Sequence, residues 1–470
     1  MEQICCVILA AGMGKRMGGD LPKAIVKTRE QALIDHVLDG LTPLHPVKTI
    51  VVTGHKKELI EQYLATSNSA QPHNLEFVFQ EEQLGTGHAV KCAIPALEGF
   101  SGTVVLTYAD HPLFRPSTIK LFLDFHQVKK ATLSMVSFAA PVPNNYGRII
   151  RSSTERTVSR ITEAKDCSVE ESLISEVNSG VYAVDSAFLK PALEALTNNN
   201  AQKEYYLTDI VEKASKEGQR VEAFLLPDAE EAGGVNNLTD LAQVNRVLSR
   251  RHIQKLVTSG VTVDDESSLF LDAAVSVEPG AKIGPNVQLR GATTIAKGVV
   301  LEGTNLIIDS TIGEGATIKL GSRLEGSIVG AESSVGPFAN LRPGTNLGSH
   351  CRIGNFVETK NATLHDGAKA SHLTYLGDCT VGKESNIGAG TITCNYDGYK
   401  KSQTVIGAGV FVGSNSSLVA PIKIGDGALV AAGSTITRDV PADSLGLARA
   451  KQEIKEGWAE KRRKVIKERR

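Results

Sequence analysis

Large side chains are scarce: aromatic residues make up 5% of the 470-residue chain, so few big core anchors are available. Charge of one sign is also missing. The chain has 51 Lys and Arg against 52 Asp and Glu, a net charge of −1. This balance excludes bulk nucleic-acid binding, which needs a basic face. The seven cysteines include no C-x-x-C pair and no metal-ligand spacing. An odd count in a large chain points to reduced thiols rather than a disulfide framework. No apolar run approaches the ~20 residues of a membrane span. The N-terminal run ICCVILAAG follows Glu2, lacks a basic leader and ends in a glycine loop, so it reads as a buried strand and not a signal peptide. A cytoplasmic protein is expected, with no nucleic-acid partner and no membrane insertion.

What is abundant is glycine, at 44 residues, which implies many tight turns. The length exceeds one ordinary core and suggests two or three domains. Up to residue 236, runs such as VILAA, TIVVTG, LEFVFQ, TVVLTYAD and ATLSMVSF are separated by helical patterns such as ALIDHVLDGL and STIKLFLDFHQ. This alternation predicts an α/β fold, Rossmann-like, with a mostly parallel sheet. Ligands of such sheets bind beyond the carboxyl ends of the strands. Residues 237–260 read as a connecting helix, with Leu238, Leu241, Val244 and Leu248 on one face. Asn237 or Thr239 would cap it, and Arg250 and Arg251 would form a solvated face.

From 261 to 450 the period becomes six. Leu271, Val277, Ile283, Leu289, Ile295, Leu301 and Ile307 keep phase; Ile312, Ile318 and Leu324 follow after a slip of one residue. Val329, Val335, Leu341, Leu347 and Ile353 resume it, and a last run goes from Ile406 to Ile436. Hexapeptide repeats predict a parallel β-helix, here left-handed, with ~18 residues in each triangular coil. Flat prism sides suggest a homo-oligomer, a homotrimer being the expected form. Two stretches break the phase and read as insertions: NFVETKNATLHDGAKASHLTYLGD (355–378) and TCNYDGYKKSQT (393–404). Residues 451–470 form a basic tail, either solvated or lying near a cofactor's phosphates.

Chemistry concentrates in few places. LAAGMGKRMGGDLPKA (9–24) sets Gly12 and Gly14 directly after the first strand, with Lys15, Arg16 and Lys23 nearby. It is neither a Walker A loop nor a full G-x-G-x-x-G. A glycine pair alone is often just a turn, but clustered cations favour a phosphate chain. Asp110, at a strand end, suits Mg²⁺ or the capping of the next turn. His372 stands among polar residues in the first phase break, where a catalytic role competes with a structural one. Arg342 can grip a phosphate bidentately.

These segments, together with QEEQLGTGHA (80–89), YAD, YGR (146–148), EVNSGVY (176–182), YYLTD (205–209) and GVNN (234–237), resemble the sugar nucleotidyltransferases. More closely, the chain is similar, nearly end to end, to the bifunctional bacterial N-acetylglucosamine-1-phosphate uridylyltransferase/glucosamine-1-phosphate N-acetyltransferases. The resemblance implies that Leu9, Ala10 and Gly12 line the uracil and ribose side. Arg16 and Lys23 would hold the triphosphate, and Gln80, Gly85 and Thr86 would recognise uracil. Asp110 and Asn236 would coordinate Mg²⁺, and Gly147, Glu163 and Asn178 would hold the sugar. UTP and acetyl-CoA are the implied co-substrates. In the second half, His372 would be the general base; an imidazole suits this because its unperturbed pKa lies near physiological pH. Arg342, Lys360, Tyr375 and Asn386 would bind glucosamine-1-phosphate. Asn395, Tyr396, Ser414, Ala432 and Arg449 would lie at the acetyl-CoA site, and Lys401 would serve either anion.

Two positions depart from the family pattern. Lys15 stands where Thr is usual, and Ala109 replaces the usual Gly before the metal aspartate, adding a methyl expected to crowd the sugar. Two rivals stay open. One is a single-function nucleotidyltransferase whose β-helix is only structural or regulatory; the His372, Arg342, Lys360 and Tyr375 cluster argues against it. The other is a sugar-phosphate-binding scaffold without turnover.

Overall fold

The computed structural model describes residues 3–469 except 13, 15, 16, 18, 19, 29, 30, 153–156 and 201. Arg16 and Lys15 lie outside the described residues. The chain divides into two compact units, Met1–Leu248 and Ser249–Arg470.

In the first unit, β1 (Ile4–Leu9), β2 (Lys48–Thr53), β3 (Leu75–Phe79) and β4 (Thr103–Tyr108) pair in parallel, in the order β3-β2-β1-β4. The largely buried runs of β1, β2 and β4 are what a sheet covered on both faces requires, whereas β3 at the edge has no buried residue. The sheet continues through β5 (Leu133–Ala139), with the hairpin β6 (Arg148–Arg151) and β7 (Val158–Thr162) at its side, then β8 (Glu176–Asp185) and β9 (Val221–Leu225). β8 runs antiparallel between β4 and β5. Helices α1 (Leu33–Leu41), α2 (Lys57–Leu64), α3 (Thr86–Cys92) and α4 (Pro116–Lys129) lie in the connections. Two apolar clusters divide the unit's core. One gathers Cys6, Ile8, Val51 and Val105, the other Cys5, Val7, Ile50 and Leu106. Alternate residues of each strand thus enter opposite layers.

The connecting helix runs Leu238–Thr258. Asn237 caps it, its Oδ1 accepting from Asp240 N at 3.0 Å. Within the first unit Val244 and Val247 pack with Met17, Leu33, Leu113 and Val235, whereas Leu238 is 60% exposed and leaves the expected face. Arg251 is half-buried, so only Arg250 fits the solvated face.

The second unit is a parallel β-helix whose strand order follows the chain throughout. Leu289 pairs with Ile307 and Ile307 with Leu324, so each coil takes 17 or 18 residues. The six-period aliphatics form one continuous core, as a left-handed hexapeptide solenoid requires. The first expected insertion is not one. Residues 352–364 and 369–381 are two 13-residue strands paired in register, so the coils continue. Inward positions there are Thr359, Leu364, Ala370 and Leu376, all 0% exposed. The phase is lost to an aliphatic count because Thr and Ala fill two of these places. The second insertion is real: Val381 pairs with Ile406, 25 residues on, where Ile406 pairs with Ile424 after 18. The basic tail carries a helix, Trp458–Glu468, exposed along its whole length.

Candidate active site

Four parallel strands of the first unit deliver their carboxyl ends to one edge. Ala10 N donates to Val52 O at 2.8 Å and Ala109 N to Leu9 O at 3.0 Å, which sets the glycine loop beside the Asp110 turn. The side chains of Leu9 and Ala10 are 8% and 4% exposed and belong to the cores, so they can offer a ligand only their backbone. Ala109 is 2% exposed and joins a core cluster, so its methyl packs among apolar side chains.

Lys23, Asp110 and Asn236 converge from three distant segments. The Lys23 ammonium meets Asp110 Oδ2 and lies 3.0 Å from Asn236 Oδ1. Asn236 is held in turn, its N–H donating to Asp240 Oδ2 at 2.7 Å. Asp110 Oδ1 is buried and has no hydrogen-bond partner among the described residues. His111 Nε2 stands 3.8 Å from that oxygen, and burial pushes the His111 imidazole toward its neutral form. An orphaned carboxylate oxygen beside an amide oxygen suits a hard cation. No cluster of three or more His, Cys, Asp or Glu that could hold a metal occurs among the described residues. A cation here would therefore draw on water and substrate phosphate, as Mg²⁺ commonly does.

A second set of polar groups gathers around Asn178, Gly147 and Glu163. Asn178 N donates to Gly147 O at 2.9 Å, and Asn178 Nδ2 donates to Tyr182 Oη at 2.6 Å. A Cβ at Gly147 would come within 3.6 Å of a Glu163 carboxylate oxygen, so the two residues are neighbours. Burial raises the Glu163 carboxyl, against a hydrogen bond from Thr208 Oγ1 at 3.0 Å. Gly180 (φ +87°) is required by conformation and by space, because a Cβ there would lie 2.5 Å from the Tyr108 ring.

The 80–86 loop closes the other side. Gln80 Nε2 donates to Gly85 O at 3.2 Å, and Gln83 Nε2 donates to Ala11 O at 2.6 Å, tying this loop to the glycine loop. Gly85 has φ +111°, and a Cβ there would lie 2.7 Å from Tyr205 O. Thr86 Oγ1 accepts from Leu207 N at 3.1 Å, which explains why YYLTD is needed at a distance.

In the second unit, parallel register stacks functional side chains in columns. Asn355 pairs with His372, and His372 Nδ1 lies 3.0 Å from Asn355 Oδ1. An amide oxygen only accepts, so Nδ1 carries the proton and Nε2 keeps the lone pair. Arg342 N donates to Thr359 O at 2.9 Å, placing Arg342 next to Lys360 one coil on. The charges of Lys401 and then Arg342 push the Lys360 ammonium below its ordinary value, with Asp378 opposing them. Three cations thus share one spot, and Arg342 is oriented by Glu358 Oε1 at 2.9 Å. Tyr375 leans over Gly377, where a Cβ would lie 2.5 Å from its hydroxyl.

Other expected residues stand differently. Asn386 pairs with Lys369 and Phe411 rather than with the cation cluster. Asn395 is 9% exposed and donates to Asp378, and Tyr396 bridges to Lys401; both anchor the inserted loop. Ser414 and Ala432 share a corner column, set by the Val412–Val430 pairing, and Arg449 Nη1 donates to Ala432 O at 2.9 Å.

Residues 6–206 match the MobA-like NTP transferase domain, and residues 403–438 match the bacterial transferase hexapeptide, six repeats. A protein of Pelobacter propionicus named bifunctional protein GlmU is 43% identical over 97% of this chain and 98% of its own. Its namesake in Geotalea uraniireducens is 43% identical over 98% of this chain and 100% of its own. That of Streptococcus agalactiae is 42% identical, covering 97% of both. The chain belongs to the GlmU family. It combines a nucleotidyltransferase domain with a hexapeptide-repeat transferase domain, as the two family matches also state. What sequence reasoning missed in this GlmU chain are the partners of the partners: Asn355, Glu358, Asp378 and Thr208. All four stand inside the stretches 205–209 and 355–378, but only coil register or strand crossing shows which neighbour each one holds.

Proposed function

We propose that the second unit transfers the acetyl group of acetyl-CoA to glucosamine-1-phosphate, and that the first unit then joins the N-acetylglucosamine-1-phosphate formed to UMP from UTP, releasing pyrophosphate. The chain is thus both an acetyltransferase and a uridylyltransferase, and its final product is UDP-N-acetylglucosamine. The observation that carries this reading is a pair of separate polar clusters, one in each unit of a chain that aligns end to end with bifunctional relatives.

In the first unit a sugar-phosphate oxygen attacks the α-phosphorus of UTP. That oxygen is already anionic, so no general base is required, and positioning with charge neutralisation carries the step. Lys23 and Arg16 hold the triphosphate; Gly12 gives the backbone close approach. Gly147, Glu163 and Asn178 hold the sugar, while Gln80, Gly85 and Thr86 face the base. Asp110 and Asn236 would hold Mg²⁺, which, when bound, neutralises phosphate charge. The buried, unpartnered Asp110 Oδ1 supports that choice.

In the second unit His372 Nε2 takes a proton from the glucosamine nitrogen as it attacks the thioester carbonyl; the C–S bond then breaks and coenzyme A leaves, taking up a proton to become the free thiol. Asn355 keeps the imidazole in the required tautomer. Arg342, Lys360 and Lys401 hold the sugar phosphate, with Tyr375 and Asn386 beside the ring. Ser414, Ala432, Arg449 and Tyr396 flank acetyl-CoA. Working limits of 1–236 for the first domain and 261–450 for the second follow.

A homotrimer is supported by an apolar corner column, Leu320, Phe338, Phe356 and Leu373, whose members are 44%, 50%, 59% and 64% exposed. The cytoplasm is supported by seven cysteines that are all free thiols. The test is one incubation with glucosamine-1-phosphate, acetyl-CoA, UTP and Mg²⁺, following thiol and pyrophosphate separately. Pyrophosphate that depends on acetyl-CoA is expected. His372→Ala should lower thiol release by about 10²–10⁴-fold while pyrophosphate release from supplied N-acetylglucosamine-1-phosphate continues. Unchanged thiol release would remove His372 from its role.

A further inference from the structure

Helix α3 carries a histidine that neither reaction above employs. Gln80 follows β3 at the carboxyl edge of the sheet, its N–H on Thr53 O at 2.8 Å, and the residue is 4% exposed. Its Nε2 lies 3.2 Å from Gly85 O and 3.0 Å from His88 Nδ1. A backbone carbonyl can only accept, so the amide end facing Gly85 is the nitrogen, which owns two hydrogens and no lone pair to share. Its second hydrogen therefore points at His88 Nδ1, and that ring nitrogen must hold the lone pair. The ring proton then sits on Nε2, facing Cys92 Sγ at 4.0 Å. Tyr205 flanks the imidazole with ring centroids 6.3 Å apart. With both amide hydrogens engaged, Oε1 is what Gln80 has left to offer a ligand, and Oε1 is an acceptor.

We infer that His88 is a positioning residue for base choice: its Nδ1 lone pair, together with the Gly85 carbonyl, locks the Gln80 amide so that an acceptor, not a donor, meets the pyrimidine. Uracil presents N3–H between its two carbonyl oxygens and satisfies that acceptor. Cytosine presents a lone pair at N3 and leaves two acceptors opposed. A site built around a buried hydrogen bond rejects the analogue that cannot make it, because its own polar group is left unpaired. Without the His88 acceptor one of the two hydrogen bonds that hold the amide is lost, and only the Gly85 carbonyl still opposes a turned-over amide, whose N–H₂ would suit cytosine as Oε1 suits uracil. The inference rests on the uridylyl-transfer reading of the first unit.

The experiment compares kcat/KM for UTP and CTP, with N-acetylglucosamine-1-phosphate and Mg²⁺, in the unaltered chain, His88→Leu and His88→Asn. Leucine removes the acceptor, whereas the asparagine Oδ1 can replace Nδ1. His88→Leu is expected to lower the UTP-to-CTP preference about tenfold, with thiol release from the second unit unchanged. His88→Asn is expected to keep the preference within about threefold of the original. A preference unchanged in His88→Leu overturns the inference, as does an equal loss in both variants. If His88→Leu turns over neither nucleotide, His88→Asn decides: retained preference supports the role and a collapsed one removes it. An unaltered chain that uses neither nucleotide refutes the uridylyl-transfer reading itself, a different result from any of these.

Discussion

At the residue scale, the chemistry proposed for the first unit rests on a lysine shared between two oxygen acceptors. The Lys23 ammonium touches both Asp110 and Asn236, so removing either oxygen leaves a half-paired cation and a weakened cation site. Asp110→Asn keeps the shape but removes the charge. It should reduce pyrophosphate release by about 10²–10³-fold, with thiol release untouched; retention of most pyrophosphate release would mean that the carboxylate is not needed. Glu163 offers a pH test. Burial raises its carboxyl, so it takes up a proton at higher pH than an ordinary glutamate. As pH falls through that raised value the acceptor for a sugar hydroxyl is lost. KM for N-acetylglucosamine-1-phosphate should therefore climb as the medium is acidified, and Glu163→Gln should show a high KM that no longer varies over the same range. Parallel profiles for the two proteins would show that Glu163 does not titrate in sugar binding.

At the element scale, the second unit is a stack in which each coil leans only on its neighbours. Ile353 is 0% exposed and pairs with Val335 on one side and Ala370 on the other, directly below the His372 coil. Ile353→Ala should cost about 2–5 kcal/mol through the cavity it leaves, because a rigid ladder collapses poorly. Thermal inactivation of thiol release should move to lower temperature, while inactivation of pyrophosphate release stays where it was. Equal shifts in both would mean that the two units unfold as one. The long helix Leu238–Thr258 shows the same economy of contact: Val244 serves the first unit's core and Ile253 the second's.

For the whole molecule, two chemistries with different needs occupy one chain. The first unit joins two polyanions, for which we propose a cation; the second moves an acetyl group, for which we propose the His372 imidazole and the cations Arg342, Lys360 and Lys401. Chelation of divalent metal by excess EDTA should abolish pyrophosphate release and leave thiol release unchanged, and added Mg²⁺ should restore the former. Loss of both activities would place a metal in the second unit as well. No helix among the described residues is long and apolar enough to cross a membrane.

Sequence alone determined most of the architecture, because both halves are written in local periods. Strand runs ended where turn residues stood, and every sixth aliphatic from Leu271 to Ile353 points into the solenoid. The residues we propose to act could also be singled out: Lys23 and Asp110 near the glycine loop, Arg342 before a Pro-Gly turn, and His372, inside the strand Lys369–Val381, by the polar residues around it. Tertiary structure decided three things. It showed that 355–378 continues the coils, since Thr359 and Ala370 can face inward where an aliphatic count sees a gap. It took Asn395 into the anchoring of the inserted loop, which in turn delivers Lys401 to Lys360. And it assigned the proton positions of His372 and His88, because a tautomer depends on which atom a neighbour turns toward the ring. Periodicity records what each residue prefers locally; hydrogen-bond partners 17 or 200 residues away are set only when strands fall into register.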